Sequence, residues 1–335
     1  MNETAGMISF REKAILFYKR LEYLIRPLFR FAVALALLLL LRRHLGAYGP
    51  ANAMLQNTLL NVIIALACSM VPPGYAAAIV ALVMVWDLYA LSLEAAAICA
   101  ALLLLCILLY FRFSPRDTIV MLLMPIAYAC NLHFAVPVLA GLLYGPGAAV
   151  PVVFGLLFTK YVLMVEGSLP SITSGGGPAA GEQLIANFRG LIDGMMHDRG
   201  MIILAAALAV TVLVVCFFRH LILAHAWTIA IAAGCVTELV ILLAGDMRFD
   251  AGIDLGRVLI GIVLAFGVGQ LVRIFVFNVD YLHIENVQFE DEDYYYYVKA
   301  VPKVITPLSL PSYEGDSRFP DEFAPGADPE DSSRR

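Results

Sequence analysis

Charge is what this sequence has least of. Only 15% of its 335 residues are Asp, Glu, Lys or Arg, where a soluble domain carries roughly a quarter. Hydrophobic residues fill 61% of the positions and the mean hydropathy is +0.84. A water-soluble core could not hide so much apolar surface, so a soluble globular fold is excluded. The six cysteines (Cys68, Cys99, Cys106, Cys130, Cys216, Cys235) form no CxxC pair and all stand in apolar stretches. That pattern argues against metal or redox chemistry and for cysteine as a small apolar residue. No phosphate loop, zinc signature or nucleophile elbow is present. Catalysis needs acid, base or metal groups within reach of one another. None are visible, so the expectation is a protein that is not an enzyme, with no cofactor, no metal and no nucleic-acid partner. A cleavable signal peptide is not expected either. The first thirty residues hold six basic positions and no short apolar core followed by a small-residue cleavage site.

What the chain does have is long apolar runs. A helix needs about twenty apolar residues to cross a bilayer, and it satisfies its backbone polar groups internally. Candidate spans lie at 31–41, 55–71, 74–91, 93–111, 117–131, 133–147, 149–166, 200–217, 221–244 and 254–277. The predicted fold class is therefore all-α: a polytopic transmembrane bundle of about ten spans, multi-pass in the cell membrane, with the lipid bilayer as its first partner. The first candidate is the weakest, because Arg30 and Arg42 bound only eleven uncharged residues. Residues 1–30 read as an interfacial helix. Ala14, Phe17, Tyr18, Leu21, Leu24, Ile25 and Leu28 follow helical spacing opposite a basic face, which suits an anionic leaflet. Residues 31–166 then form a seven-span part, 167–199 an extracytoplasmic loop, 200–277 a three-span part and 278–335 an acidic cytoplasmic tail. Within the loop, Leu184, Phe188, Leu191, Ile192 and Met195 make one apolar stripe, expected to lie on the outer membrane face or cap the bundle, with a substrate lid as the alternative. The bias of positive charge toward the cytoplasm places both termini inside through Arg112, Arg116, Arg219 and Arg273, with Arg42 and Arg43 against the rule.

Two constellations could carry chemistry. The fifth to seventh runs are short and punctuated by Pro125, Pro137, Gly141, Gly145, Pro146, Gly147 and Pro151. Proline removes a backbone donor, and the freed carbonyls must find protein, water or ligand. Interrupted segments of this kind point to a transporter cavity, although Gly and Pro are also common in ordinary membrane helices. Asn131 and His133 would be its polar wall. Among ionisable residues, Lys160 and Glu238 are the ones that read as intramembrane. Asp87 and Glu94 stand beside Trp86 and Tyr89, an aromatic setting that suggests the interface. Lys160 is expected to snorkel outward. Gly267 and Gly269 in the last run read as sites of close helix packing. Glu94-Ala95-Ala96 is similar to the coupling motif of ATP-binding-cassette permeases, but it opens a span and lacks the following glycine.

The tail concentrates the acidity. From Asp280 onward there are 13 acidic and 5 basic residues, a net −8, while the remainder is +3. Phe289 and an acidic run lead into Tyr294, Tyr295, Tyr296 and Tyr297, followed by Lys299, Pro302 and Lys303. This composition favours a short strand, which needs a partner edge to be stable. It reads either as a docking peptide that adds a strand to a cytoplasmic protein or as a segment packed on its own bundle. Beyond about residue 307 the composition predicts disorder.

The stretch 289–303, with Val276-Phe277-Asn278-Val279-Asp280-Tyr281, resembles the ending of an uncharacterised polytopic membrane family of anaerobic Gram-positive, clostridial-type bacteria. The segments 89–94, 137–142 and 226–231 resemble it as well. Members of that family are often labelled ABC transporter permeases. The resemblance implies a helical membrane body and a cell-membrane location, and it assigns no active-site residue. Two functions compete at this point. One is a non-enzymatic membrane component that docks a cytoplasmic or envelope partner through the tail. The other is a transporter or permease subunit with a cavity around 125–151.

Overall fold

The computed structural model describes residues 2–45, 57–113, 117–173, 180–221, 225–252, 254–276, 285–290 and 295–300. Residues 1–277 and 278–335 are two separate compact units. In the first lie helices α1 (Asn2–Leu45), α2 (Thr58–Met70), α3 (Pro73–Leu91), α4 (Leu93–Phe113), α5 (Thr118–Ala129) and α6 (Ala135–Leu143). A 3-10 turn, Pro146–Ala148, leads into α7 (Ala149–Thr173), α8 (Ala180–His197), α9 (Arg199–Arg219), α10 (Ala226–Phe249) and α11 (Leu255–Val276).

Short polar caps start several of these helices. Asn57 accepts from the amides of Leu59 and Leu60 ahead of α2, and the Ser92 hydroxyl accepts from the Ala95 amide in α4. Asp198 accepts from Met201 in α9, and Asp254 accepts from Gly256 and Arg257 in α11. Each satisfies amides that a helix start leaves without an internal partner.

Seven described helices are long and apolar enough to cross a membrane: Arg20–Leu45, Pro73–Leu91, Leu93–Tyr110, Pro146–Ser168, Arg199–Arg219, Ala226–Phe249 and Leu255–Val276. The first unit is thus a multi-pass membrane body. Its outward surface agrees, since Leu82, Leu104, Leu108, Val236 and Val263 are all more than half exposed, and so much bare apolar surface calls for lipid.

Seven such helices do not confirm the count of about ten spans. The remaining candidates are α2, α5 and α6, with 13, 12 and 9 residues, or roughly 20, 18 and 14 Å of helix against a hydrocarbon core of about 30 Å. α1 runs unbroken through the boundary read at residue 30, so Arg30 does not end an apolar run. It sits inside a longer helix and donates to the Val71 carbonyl.

Contacts sort the helix ends onto two faces. Asn187 of α8 reaches Glu94 at the start of α4, and Arg199 donates to the Phe249 carbonyl at the end of α10. His44 at the end of α1 meets Glu166 in α7 at 2.6 Å. These ends share the face that carries α8. On the opposite face, Arg219 at the end of α9 meets the end of α6. Two buried clusters fill the interior, one among α1–α4 and α7, the other among α5–α7 and α9–α11. α7 serves both. Its Tyr161 is almost fully buried and donates to the Ala95 carbonyl of α4. α8 caps the first cluster with Leu191, Ile192 and Met195, three members of the stripe read from sequence.

In the second unit the described residues form one antiparallel hairpin, β1 (Glu285–Glu290) with β2 (Tyr295–Ala300). Phe289 pairs with Tyr296, Gln288 with Tyr297, Glu290 with Tyr295 and Asn286 with Lys299. The strand expected in the tail pairs as β2 with β1, which itself includes Phe289 and Glu290 of the same stretch. Tyr294, Pro302, Lys303 and the segment beyond 307 lie outside the described residues.

Candidate functional site

The site grows from the break between α5 and α6. Pro125 lies inside α5, and the helix ends one turn later. Asn131 takes a left-handed conformation with φ 57°, which asparagine tolerates better than most residues. The turn is closed by Leu132 N–H to Ala127 O at 2.7 Å and Asn131 N–H to Tyr128 O at 3.1 Å. These two bonds are the paired closure of a Schellman turn, and they consume carbonyls that lipid could not satisfy. α6 then leads back. Since α5 starts near the end of α4 and α6 ends at Arg219, both ends of this hairpin sit on the face away from α8. The apex, 130–134, stops inside the body.

α6 can be short because protein surrounds it. Seven of its nine residues are buried, including Pro137 and Gly141. A side chain at Gly141 would place Cβ 2.8 Å from Val215 Cβ and 2.9 Å from the Val212 carbonyl, so backbones meet here. The loose C-terminal carbonyls of α6 are held by Arg219, whose guanidinium donates to Leu142 O, to Tyr144 O at 3.1 Å and, more weakly, to Gly141 O at 3.5 Å.

Above the apex, toward the α8 face, is a cavity of about 580 Å³. Asn131, His133, Tyr128 and Lys160 line its floor. Asp198, Gly200, Gly252, Asp254 and Arg257 line its rim, and Leu204, Leu242 and Val258 are among its apolar walls. Lys160 is the twelfth of 25 residues in α7, so the floor lies near the middle of a spanning helix. Its Nζ stands 5.5 Å from the centre of the Tyr128 ring, and that ring lies 4.8 Å from the His133 ring. His133 is only 7% exposed and its Nδ1 has no hydrogen-bond partner.

The candidate residues named from sequence thus separate into groups. Asn131, His133 and Lys160 come together in this cavity. Lys160 lies over the Tyr128 ring. Pro125 belongs to a different, mainly apolar groove of about 340 Å³ between α1, α3, α5 and α7. Pro137, Gly141 and Pro151 are buried among helices and line neither space. Glu238 is fully buried in α10 with both carboxyl oxygens unpartnered. It sits one turn from the wall residue Leu242 without itself reaching the cavity. Of the glycines read as packing sites, Gly269 packs tightly on Ile231, whereas a side chain at Gly267 would meet open space.

Other features had no clear signal in the sequence. Tyr128 stands at the base of both spaces, and only its position one turn before Asn131 hints at this. The rim comes from Asp198 and Gly200 at the start of α9 and from Ala251, Gly252, Asp254 and Arg257 before and at the start of α11, far apart in the chain. Asp87 is 2% exposed although its neighbours Trp86 and Tyr89 face outward. An interfacial depth and an inward direction are compatible, and the aromatic neighbours report only the first. Of the cysteines, five are buried and Cys130 at the apex is exposed. Among the described residues no group of His, Cys, Asp and Glu could hold a metal ion.

Comparison with family models, with curated proteins and with solved structures gives no match.

Proposed function

We propose that this protein binds a small solute in the cavity above the α5–α6 apex and carries it across the membrane, as a transporter or permease subunit. The observation that supports this most is the half-crossing hairpin. Its polar apex, Asn131 to His133, forms the floor of a 580 Å³ space at the mid-depth of α7. Irregular backbone at membrane depth is tolerated where it is buried in protein or lines a water-filled cavity, and such breaks mark binding sites in transporters. Exposed rim residues Asp254 and Arg257 give the space a route to water.

The test is water access. Place a cysteine at His133 in a Cys130→Ala background and treat sealed membranes with a charged, impermeant maleimide from each side. Labelling from the α8 side alone is expected. A cysteine at Leu104, outward on α4, is the unreactive reference. If His133→Cys stays as silent as the Leu104 reference from both sides, the space is dry and the transport reading falls.

The β1–β2 hairpin favours a second reading, in which the tail docks a partner on the cytoplasmic side. Among the described residues the hairpin has no further strand on either outer edge, and an open edge can accept one. Removing 285–303 and comparing co-purified proteins tests it, and an unchanged set of partners would end it. The two readings are compatible, since a permease subunit needs a contact with whatever energises it.

A further inference from the structure

Resting on the cavity reading, we infer that the ligand is an organic acid, its carboxylate held at the floor by Lys160 and His133 and its apolar body lying against Leu204, Leu242 and Val258. The argument is an account of charges. Four charged side chains line the space: Asp198, Asp254, Arg257 and Lys160. Three of them are committed. Asp198 caps α9 through the Met201 amide at 2.9 Å. Asp254 caps α11 and pairs with Arg257, Nε to Oδ2 at 3.3 Å. Lys160 alone has no carboxylate within ion-pair distance among the described residues. It is also the deepest of the four, held over the face of Tyr128. The four charges cancel in sum, but Asp198, Asp254 and Arg257 stand at the rim, so the charge at the base is positive.

A second group on the floor also waits for a partner. His133 is more than nine-tenths buried and lines the space, with Nδ1 unbonded. A buried nitrogen without a partner is costly; Nδ1 itself has no accessible surface, so a bound oxygen pairs with it only if the ring turns toward the space. Lys160 supplies a point charge of the kind used for oxyanions. A cationic ligand is disfavoured by the same account. At the floor it would meet Lys160, while the acids that line the space, Asp198 and Asp254, stand at the rim, and Glu238 has its oxygens closed off inside the helix packing. An inorganic anion would satisfy the floor but leave most of 580 Å³ and three aliphatic walls unused. A space of this size suits an organic molecule with a few fixed polar contacts.

The test uses the full chain in lipid nanodiscs, titrated with benzoate, with its uncharged isostere benzamide and with inorganic phosphate. Benzoate is expected to bind at least tenfold more tightly than benzamide or phosphate. Lys160→Met should weaken benzoate at least tenfold while Lys160→Arg restores most of it. If Lys160→Met does not fold, the contrast between benzoate and benzamide on the unaltered protein still decides. Equal binding of the two overturns the anionic assignment and leaves the cavity reading standing. Phosphate binding more tightly than benzoate overturns the organic acid. Binding of none of the three overturns the inference as well, and the labelling of His133→Cys then judges separately whether the cavity opens to water.

Discussion

α4 and α6 are both apolar helices, yet they live in different solvents. α4 runs 21 residues and turns Leu104, Leu105, Ile107 and Leu108 outward. α6 has nine residues, with a proline and a glycine inside it, and buries seven of them. The long helix needs nothing from its neighbours to satisfy its backbone, so lipid can surround it. The short one ends inside the membrane body, and its loose carbonyls are tolerable only because Arg219 reaches them and protein encloses the rest. Irregularity at membrane depth is thus bought with burial. The cavity exists because the hairpin stops short and leaves room above its apex.

The comparison breaks most visibly at the contact that lets α6 sit so deep. Gly141→Leu would drive a side chain into Val215 and the Val212 carbonyl. Overpacking typically costs about 1–3 kcal/mol, occasionally more, and a backbone carbonyl cannot rotate away. We expect no folded, monodisperse protein by size-exclusion chromatography in detergent. Gly267→Ala in α11, where no atom lies within 4 Å, should instead gain up to about 1 kcal/mol from helix propensity. Equal behaviour of the two variants would mean that α6 is not packed as described.

Arg219 gives the next effect. Arg219→Met removes the donors that serve Leu142 O and Tyr144 O, and hydrogen bonds to charged groups are worth about 1.5–3 kcal/mol each. A drop of several degrees in unfolding midpoint is expected. Arg257→Met should change it by less than about 0.5 kcal/mol, because Arg257 is exposed on the rim and its ion pair with Asp254 is a surface one. Glu238 shifts stability the other way. Glu238→Leu takes two unpartnered buried oxygens out of α10, so the midpoint should rise by the equivalent of about 1–3 kcal/mol. A fall would mean that the carboxyl has a partner in the membrane-embedded protein. If solute uptake is lost while stability rises, the carboxyl is kept for function at the expense of stability.

These contrasts also mark what the sequence could reveal. The runs read at 200–217 and 254–277 became α9 at 199–219 and α11 at 255–276, because length and apolarity alone define a helix that lipid surrounds. The break between Pro125 and Pro137 and the polar pair Asn131 and His133 were legible too, and Lys160 and Glu238 stood out as charges within apolar runs. What hydropathy cannot register is whether an apolar run crosses or turns back, since α5 and α6 are as greasy as any span. Hence ten candidate runs and seven membrane-length helices. Nor does it register direction. Asp87 and Trp86 are adjacent, and one points inward while the other points out. The meeting of Lys160 with Tyr128 depends on how α7 packs on α5, where a side chain at Gly155 would press on Met124 Cβ at 2.6 Å. Spacing within either helix carries no trace of it.

The smallest predicted effect sharpens the comparison most. Leu142 in α6 and Leu108 in α4 are the same residue in helices of similar composition, 1% and 64% exposed. In water, truncating either would lose the free energy of removing methylenes from solvent. In a bilayer, lipid tails are as apolar as leucine, so an outward leucine gains almost nothing from facing lipid rather than protein. Leu108→Ala should therefore shift the midpoint in nanodiscs by less than about 0.5 kcal/mol. Leu142→Ala leaves a void among α6 and its neighbours that lipid cannot fill, and the lost packing contacts alone should cost about 2 kcal/mol or more. If Leu108→Ala proves as damaging as Leu142→Ala, α4 has a protein neighbour on its outer face, such as a second subunit, rather than lipid.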